Sequence, residues 1–482
     1  MTKWIETPSF ADEMPIDISF AFGDEAPAGK HGFLKTKGDD FVFEDGTKAR
    51  FFGVNMNGSA LFPSPEYAEK VAKRLRMTGI NLVRFHQMDA EWASHNLYRY
   101  ARGKKIETTR ELDPESFEKL DYFLYALKKE GIYVYLDMMT YRKFRGTDDV
   151  LEFKGIRDCA KPFNGTNARL IELQKEFAKT VWTHKNPYTG LEYREEPAIV
   201  LTEIVNESDL FTMKCTYAPN TPHALYCREL REMFRDWLHE KGLEYDWENC
   251  DLQTYASPLT EFKIDLMQRY FREMYDYLRS IGVKIPVTGT NWSKFAELIP
   301  CHKDMDFTDS HCYFKKDWTW DLEKKTLAHC HVTEDESIFG MAGRMKVEGK
   351  PFFISEWAIQ WPNKYRAEGP LHYAAISSLQ GWGGLAIHTY SYDTKLSPFD
   401  PMGKEISSPA IANVPYRAGV FSCWNDPATY GLFYHGALIT RRGDVREARE
   451  KYSIVYDRFD ENDTAARPVT AETWVWISPL PP

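Results

Sequence analysis

Three stretches of this chain repeat one unit, and that unit limits the fold more than any other feature. Residues 64–86 read SPEYAEKVAKRLRMTGINLVRFH. Ser64 can cap a helix and Pro65 suits its first turn; Ala68, Val71, Ala72 and Leu75 form an apolar stripe at helical spacing. Gly79 stands where a helix ends in the left-handed conformation, and INLVRF follows as a strand. From Asp113 the pattern returns with Phe117, Leu120, Leu124 and Leu127, then Gly131 and the strand IYVYLDM. Near Ser257 it starts again with Phe262, Leu266, Tyr270, Met274 and Leu278, then Gly282 and VKIPVTGTN. Helix, glycine, strand is the second half of a βαβ unit, and alternation of this kind implies a parallel sheet.

Five more segments have strand composition: ARFFGVNM (49–56), PAIVLTEIV (197–205), DFTDSHCY (306–313), KPFFISEW (350–357) and GGLAIHTYS (383–391). Eight parallel strands separated by helices predict an α/β chain closed into a (β/α)8 TIM barrel. An open doubly wound sheet is the alternative. The first strand–helix loop, GVNMNGSALFPS, lacks the GxGxxG that a dinucleotide fold would carry there. Residues 30–48 alternate around GDD and close on DG, which predicts an N-terminal β-hairpin. The expected organisation is a segment and hairpin over 1–48 packed on the barrel, a catalytic barrel over 49–450 and a tail over 451–482. Long loops follow the fourth strand (208–226) and the sixth (314–349).

Bulk properties narrow the partners. A net charge of −10 argues against nucleic acid, which needs a basic face. No apolar run is long enough to span a membrane, and the N-terminus lacks the basic-then-apolar pattern of a signal peptide. The eight cysteines are scattered, with no CxxC pair, as in a reducing compartment. A cytoplasmic location is the resulting expectation. The sequence leaves the oligomeric state open.

In such a barrel the chemistry sits where strands run into the following loops. Reading those tips in order gives Asn55; Arg84, His86 and Asp89; Asp137; Asn206 and Glu207; Asn291 and Trp292; His311 and Tyr313; Glu356 and Trp357; His388 and Tyr390. Glu207 and Glu356 lie on the fourth and seventh strands, across the mouth from each other. Period-2 alternation puts Phe352, Ile354 and Glu356 on one face, and Leu201, Glu203, Val205 and Glu207 on another. Glu203 is then a buried acid, read either as a support behind the ligand-contacting residues or as structural. Two carboxylates across a small gap are what glycoside hydrolysis needs: one protonates the leaving oxygen, the other attacks the anomeric carbon or activates water. Arg84 and Tyr313 suit holding Glu356 ionised, His311 suits tuning Glu207 as the acid, and Asn206 can bond a sugar 2-hydroxyl. Asp137 and His86 are supporting candidates.

These residues carry a family resemblance. From about Gly32 to Val445 the chain resembles the clan A retaining glycoside hydrolases, closest to cellulase-like members of glycoside hydrolase family 5. The NE at 206–207 and the SEW at 355–357 match the acid/base and nucleophile of the clan, and Arg84 and the HCY at 311–313 match its supporting positions. The resemblance implies a (β/α)8 barrel, a retaining mechanism and no metal or other cofactor. The expected substrate is a β-linked oligo- or polysaccharide, glucan, mannan or related. A non-catalytic carbohydrate-binding barrel, or an exo-acting β-galactosidase or β-mannosidase, is the alternative. A metal-dependent barrel hydrolase would carry HxH on the first strand, where this chain has FFGVNM. Two features depart from the family pattern. The third strand ends LDMMT, without the usual His after Asp137. The eighth strand lacks the Trp that floors the −1 subsite, so Tyr390 or His388 takes its place unless Trp382 or Trp424 reaches in. Trp318 and Trp320 are candidate stacking residues at outer subsites. The AHCH at 328–331 lacks the spacing of a metal site.

Overall fold

The structure, a computed structural model, describes residues 16–93, 95–98, 108–156, 158–211, 223–254, 257–291, 297–313, 320, 321, 326, 327, 331, 332, 343–361, 363–392, 421–424 and 426–449. Strands β1 (Leu34–Lys37) and β2 (Asp40–Phe43) form the antiparallel hairpin. The barrel strands are β3 (Phe51–Asn57), β4 (Leu82–His86), β5 (Tyr133–Asp137), β6 (Ile199–Glu203), β7 (Val287–Thr288), β8 (Thr308–Tyr313), β11 (Phe352–Ala358) and β12 (Gly384–Ser391). Between them, β9 (Trp320–Asp321) and β10 (Thr326–Leu327) pair with each other. The large sheet has the order β7-β6-β5-β4-β3-β12-β11-β8, and every neighbouring pair is parallel. Two hydrogen bonds join its ends: Asp306 N donates to Val287 O and His311 N to Asn291 O, each at 3.0 Å. The eight predicted segments are thus the eight staves of a nearly closed (β/α)8 barrel. β7 is shorter than VKIPVTGTN suggested, because Pro286 has no N–H to give a ladder.

Helices α1 (Pro65–Met77), α2 (Pro114–Lys129), α3 (Ala168–Trp182), α4 (Ala224–Lys241), α5 (Leu259–Ser280), α6 (Leu298–Cys301) and α7 (Glu368–Leu379) lie between strands along the chain. Ser64 caps α1, its hydroxyl accepting from Tyr67 N at 3.3 Å. Asp113 instead accepts from the Ser116 hydroxyl at 3.0 Å. Gly79, Gly131 and Gly282 end α1, α2 and α5 at φ +82°, +75° and +93°, the left-handed turn that lets each helix fold back into its strand. Among the described residues no helix is long and apolar enough to cross a membrane.

Two apolar layers result. The larger fills the space between strands and helices. The smaller lies on the floor of the ring, where Leu34, Phe41 and Phe43 of the hairpin meet Phe51, Tyr133, Phe307 and Phe353. Phe43 stacks on Tyr133 at 5.1 Å and Phe41 meets Phe307 edge-on at 5.5 Å. The hairpin therefore plugs the end of the barrel opposite the polar tips.

The loop after β5, which sequence patterning did not mark, folds as four 3-10 turns between Gly146 and Gly165. Asp89 anchors it, accepting from the backbone N–H groups of Thr140, Tyr141 and Arg142 at 2.9 to 3.0 Å. Of the two loops expected to be long, residues 212–222 and most of 314–342 lie outside the described residues, as does the tail 451–482.

Candidate active site

Arg84 is the hub of the polar tips. Its guanidinium is fully buried. Nη1 donates to Asn55 Oδ1 at 3.0 Å and Glu356 Oε1 at 2.6 Å. Nη2 donates to Asp137 Oδ2 at 3.0 Å, Glu203 Oε1 at 2.6 Å and Asn206 Oδ1 at 3.0 Å. One cation thus ties together residues of β3, β5, β6, β11 and the loop after β6. A buried charge is tolerable only when paired and hydrogen-bonded, and here both Nη groups meet carboxylates and amides.

The carboxyls around Arg84 are driven in opposite directions. Burial pushes Glu203 well up, with Arg84 only partly opposing it. Burial likewise lifts Asp137 to about 6, against the pull of Arg84. Burial also acts on Glu356, but His311, His388, His86 and Arg84 outweigh it and hold the carboxylate well below its usual range. Burial keeps His86 and His388 themselves neutral, so the fixed positive charge that faces Glu356 is that of Arg84, while His311 is held above its usual value. Glu356 Oε1 takes Arg84 and His86 Nε2 (3.0 Å), while Oε2 takes the Tyr313 hydroxyl. Tyr313 is pushed far up by burial and by Glu356, so its phenol stays a donor.

A β-bulge aims Glu356. Strict alternation along β11 would send it outward with Phe352 and Ile354, which face the helix layer. Against β8, however, Ile354 pairs with Ser310 and Glu356 with His311, so β11 carries one extra residue at Ser355. The extra residue turns Glu356 inward. Asp309 Oδ1 pins the bulge by accepting from Ser355 N at 2.9 Å. β6 departs from alternation too: it ends at Glu203, and Val205 turns out into the helix layer. Glu207 then takes φ +47°, a left-handed conformation unusual for a non-glycine residue, with its N–H donated to Asn291 Oδ1 at 2.9 Å. Its side chain is 22% exposed at the mouth.

His311 stands between the two glutamates. Burial pulls its imidazole down, but Glu356 and Glu207 outweigh burial and raise it. Nδ1 lies 2.7 Å from Glu207 Oε1, and Nε2 lies 3.1 Å from Ser355 Oγ and 3.5 Å from Glu356 Oε1. One ligand atom from each of Glu207, His311 and Glu356 lies within 4.8 Å of the others, and the same holds for His86, Glu356 and His388. Either trio has the spacing to hold a cation, yet each is built on Glu356, whose oxygens already take Arg84 and Tyr313. Two carboxylates at this separation, one held ionised by fixed donors and one at the solvent edge, can attack and protonate opposite sides of a bond. Residues 42–378 match the cellulase family, glycosyl hydrolase family 5. The chain belongs to that family.

The chain is similar to known proteins both in sequence and in fold. A rice protein named mannan endo-1,4-beta-mannosidase 1 is 29% identical over 193 residues, which are 38% of this chain and 42% of that protein. The chain thus matches less than half the length of this relative. An endo-1,4-beta-mannanase from Rhizomucor miehei superposes with a TM-score of 0.52 at 14% identity, covering 84% of this chain and 99% of that one. A family 5 mannosidase from the same fungus gives 0.55 at 14%, covering 87% and 100%. An endo-beta-1,4-mannanase from Thermotoga petrophila gives 0.51 at 17%, covering 84% and 79%. At these identities the structures speak to the fold alone.

Of the site residues expected from sequence, Arg84, His86, Asp137, Asn206, Glu207, His311, Tyr313 and Glu356 converge in this family 5 barrel. Two do not. Trp357 points away from the mouth and stacks on Tyr373 at 4.5 Å, because the bulge that turns Glu356 in turns its neighbour out. Tyr390 is also outside the ring, its hydroxyl taking Arg74 Nη1 at 2.7 Å. β12 shifts register against β3 between Ile387 and Ser391, so Tyr390 does not share the face of His388. His388 takes the floor position, with Nδ1 3.3 Å from Glu356 Oε2. Trp382 packs on Phe352 and Trp424 sits in the helix layer, so neither reaches in. Trp318 and Trp292 lie outside the described residues, as do the Trp320 side chain and all of the AHCH stretch but His331. Asp89 anchors a loop rather than facing the gap. Tyr392 was missed: it bonds His388 Nε2 at 2.9 Å, and the only signal for it was the period from His388, which the register shift scrambles.

Proposed function

We propose that this family 5 chain is a retaining β-glycoside hydrolase in which Glu356 is the nucleophile and Glu207 the general acid/base. The observation that carries the reading is the pair itself: carboxylate oxygens within 4.8 Å across the mouth, with Arg84 and Tyr313 on one and His311 on the other. Retaining glycosidases place the two groups about 5 to 5.5 Å apart. In the first step a Glu356 oxygen bonds to the anomeric carbon as the glycosidic C–O bond breaks, and Glu207 gives its proton to the leaving oxygen. In the second, Glu207 takes a proton from water, the water oxygen bonds to the anomeric carbon, and Glu356 leaves with its electron pair. Asn206 Oδ1 accepts from Arg84 and, at 2.9 Å, from Asn291 Nδ2, which turns its own NH2 toward the sugar for a bond to the 2-hydroxyl.

A β-1,4-linked mannan or manno-oligosaccharide is the proposed substrate, with β-glucan next. The rice relative's name supports mannan. The test is a panel of soluble mannan, β-glucan and xylan beside aryl β-mannoside, glucoside and galactoside. Glu356→Gln should lower turnover by about 10⁴-fold or more with the fold intact. Full turnover in that variant would sink the assignment, and binding without turnover in the natural chain would favour a carbohydrate-binding barrel.

A further inference from the structure

We propose that Tyr392 and His388 form a hydrogen-bonded pair that fixes the imidazole tautomer and presents its Nδ1–H to Glu356 Oε2, so that the floor of the −1 subsite donates a hydrogen bond to the attacking oxygen. The inference rests on Glu356 being the nucleophile. It makes His388 and Tyr392 positioning residues for that oxygen rather than a passive platform.

The geometry leaves the imidazole little choice. His388 is buried, with its ring edge-on to Tyr313, His86, Tyr392 and Phe421. Burial lowers it to about 4, so near neutral pH it carries one N–H, on one nitrogen or the other. Nε2 lies 2.9 Å from the Tyr392 hydroxyl. That phenol is buried beside Trp92 and pushed well up by burial and by Glu356, so it keeps its proton. Donating it to Nε2 leaves the imidazole proton on Nδ1. The other tautomer would set an Nδ1 lone pair 3.3 Å from the Glu356 oxygen, two acceptors facing each other. The phenol on one side and the carboxylate on the other therefore select the same tautomer. Among the described residues, Nδ1 is buried with no hydrogen bond of good geometry, which leaves its proton available to Oε2 as that oxygen moves to attack. Oε2 takes the Tyr313 hydroxyl as well, while Oε1 is engaged by Arg84 and His86.

The groups facing Glu356 are Arg84 and His86 from β4, Asp137 from β5 and Tyr141 after it, Glu207 after β6, His311 and Tyr313 from β8, and His388 and Tyr392 at the end of β12. Losing the Nδ1 donor removes one group that favours the ionised carboxylate. The acid limb of kcat/KM should therefore move up.

The experiment compares Tyr392→Phe, His388→Phe and His388→Asn on whichever substrate the panel shows to be turned over. Asn can place an amide N–H where Nδ1 stands; Phe keeps the ring and gives nothing. The expected result is an acid limb raised by about half a pH unit or more in His388→Phe, a smaller rise in Tyr392→Phe, and a limb close to that of the natural chain in His388→Asn. Breakdown of the glycosyl-enzyme, read with an activated aryl leaving group, should slow about tenfold in His388→Phe. Tyr392→Phe keeps the packing and serves if His388→Phe fails to fold. An unmoved limb in Tyr392→Phe and His388→Phe, or changes confined to KM, overturns the pair. If Glu356→Gln is inactive in the same series, the two glutamates stand while the pair falls. If Glu356→Gln stays active, both readings fall.

Discussion

At the scale of single residues, Arg84 decides most. Its five hydrogen bonds reach three carboxyls and two amides, and no ammonium could reproduce that planar fork. Arg84→Lys should keep the charge yet lose the simultaneous grip on Glu356 and Asn206. Turnover should fall about 10²-fold or more, with the loss in kcat rather than KM. Steady-state kinetics on the active substrate checks this; a loss confined to KM would mean that the guanidinium only shapes the cleft. Arg84→Ala should unfold the protein at lower temperature as well, because three buried carboxyls would lose their cation.

At the scale of elements, the lesson lies in the bulges. The repeated helix–glycine–strand unit made three of the eight strands legible and strand composition the other five, since these signals are local: a cap, a stripe, a left-handed glycine and an apolar run. The polar tips were legible for the same reason, as each is the last residue or two of a strand. Which side chain points in was legible only where alternation holds. One extra residue at Ser355 reverses it on β11, and the shift after Ile387 reverses it on β12. Trp357 and Tyr390 were therefore read into the mouth and Tyr392 was not. Both irregularities are set by contacts distant in sequence, such as Asp309 with Ser355 N, which no local window contains. Asp309→Ala should release the bulge, lowering kcat several-fold while KM changes little; equal kinetics in the variant would mean that the bulge holds itself. The hairpin offers a second element-scale test. A Cβ on Gly383 would stand 2.3 Å from the Phe41 ring. Gly383→Ala should cost about 1–3 kcal/mol by forcing the plug off the floor, leaving the mouth intact. Thermal denaturation should show the loss while activity well below the transition stays unchanged.

At the scale of the whole molecule, the buried acids set how stability depends on pH. Asp137 and Asp309 are both raised by burial from 3.8 to about 6, so the folded state holds their protons more tightly than the unfolded chain does. The stability they contribute is present in full below about pH 4 and is lost as pH rises through about 6. Asp45 works the other way: its carboxylate, lowered to about 2 by the Thr47 N–H and His31, contributes above its unfolded value and is lost as pH falls through about 2. The melting temperature should therefore be highest on the acid side of neutrality. Asp309→Asn, fixed in the neutral form, should flatten the decline between about pH 4 and 6, at about 1.4 kcal/mol per unit of removed shift. A decline as steep as in the natural chain would assign it to other groups.

The five partners of Arg84 lie 29, 53, 119, 122 and 272 positions away along the chain. Contacts of that range form late in folding, after loops of comparable length have closed. Enzymatic turnover would then be the last signal to return when the denatured chain is refolded, behind helix content and behind burial of the tryptophans. A polypeptide cut anywhere between β4 and β11 would show no partial turnover, because its hub would have no ring to join.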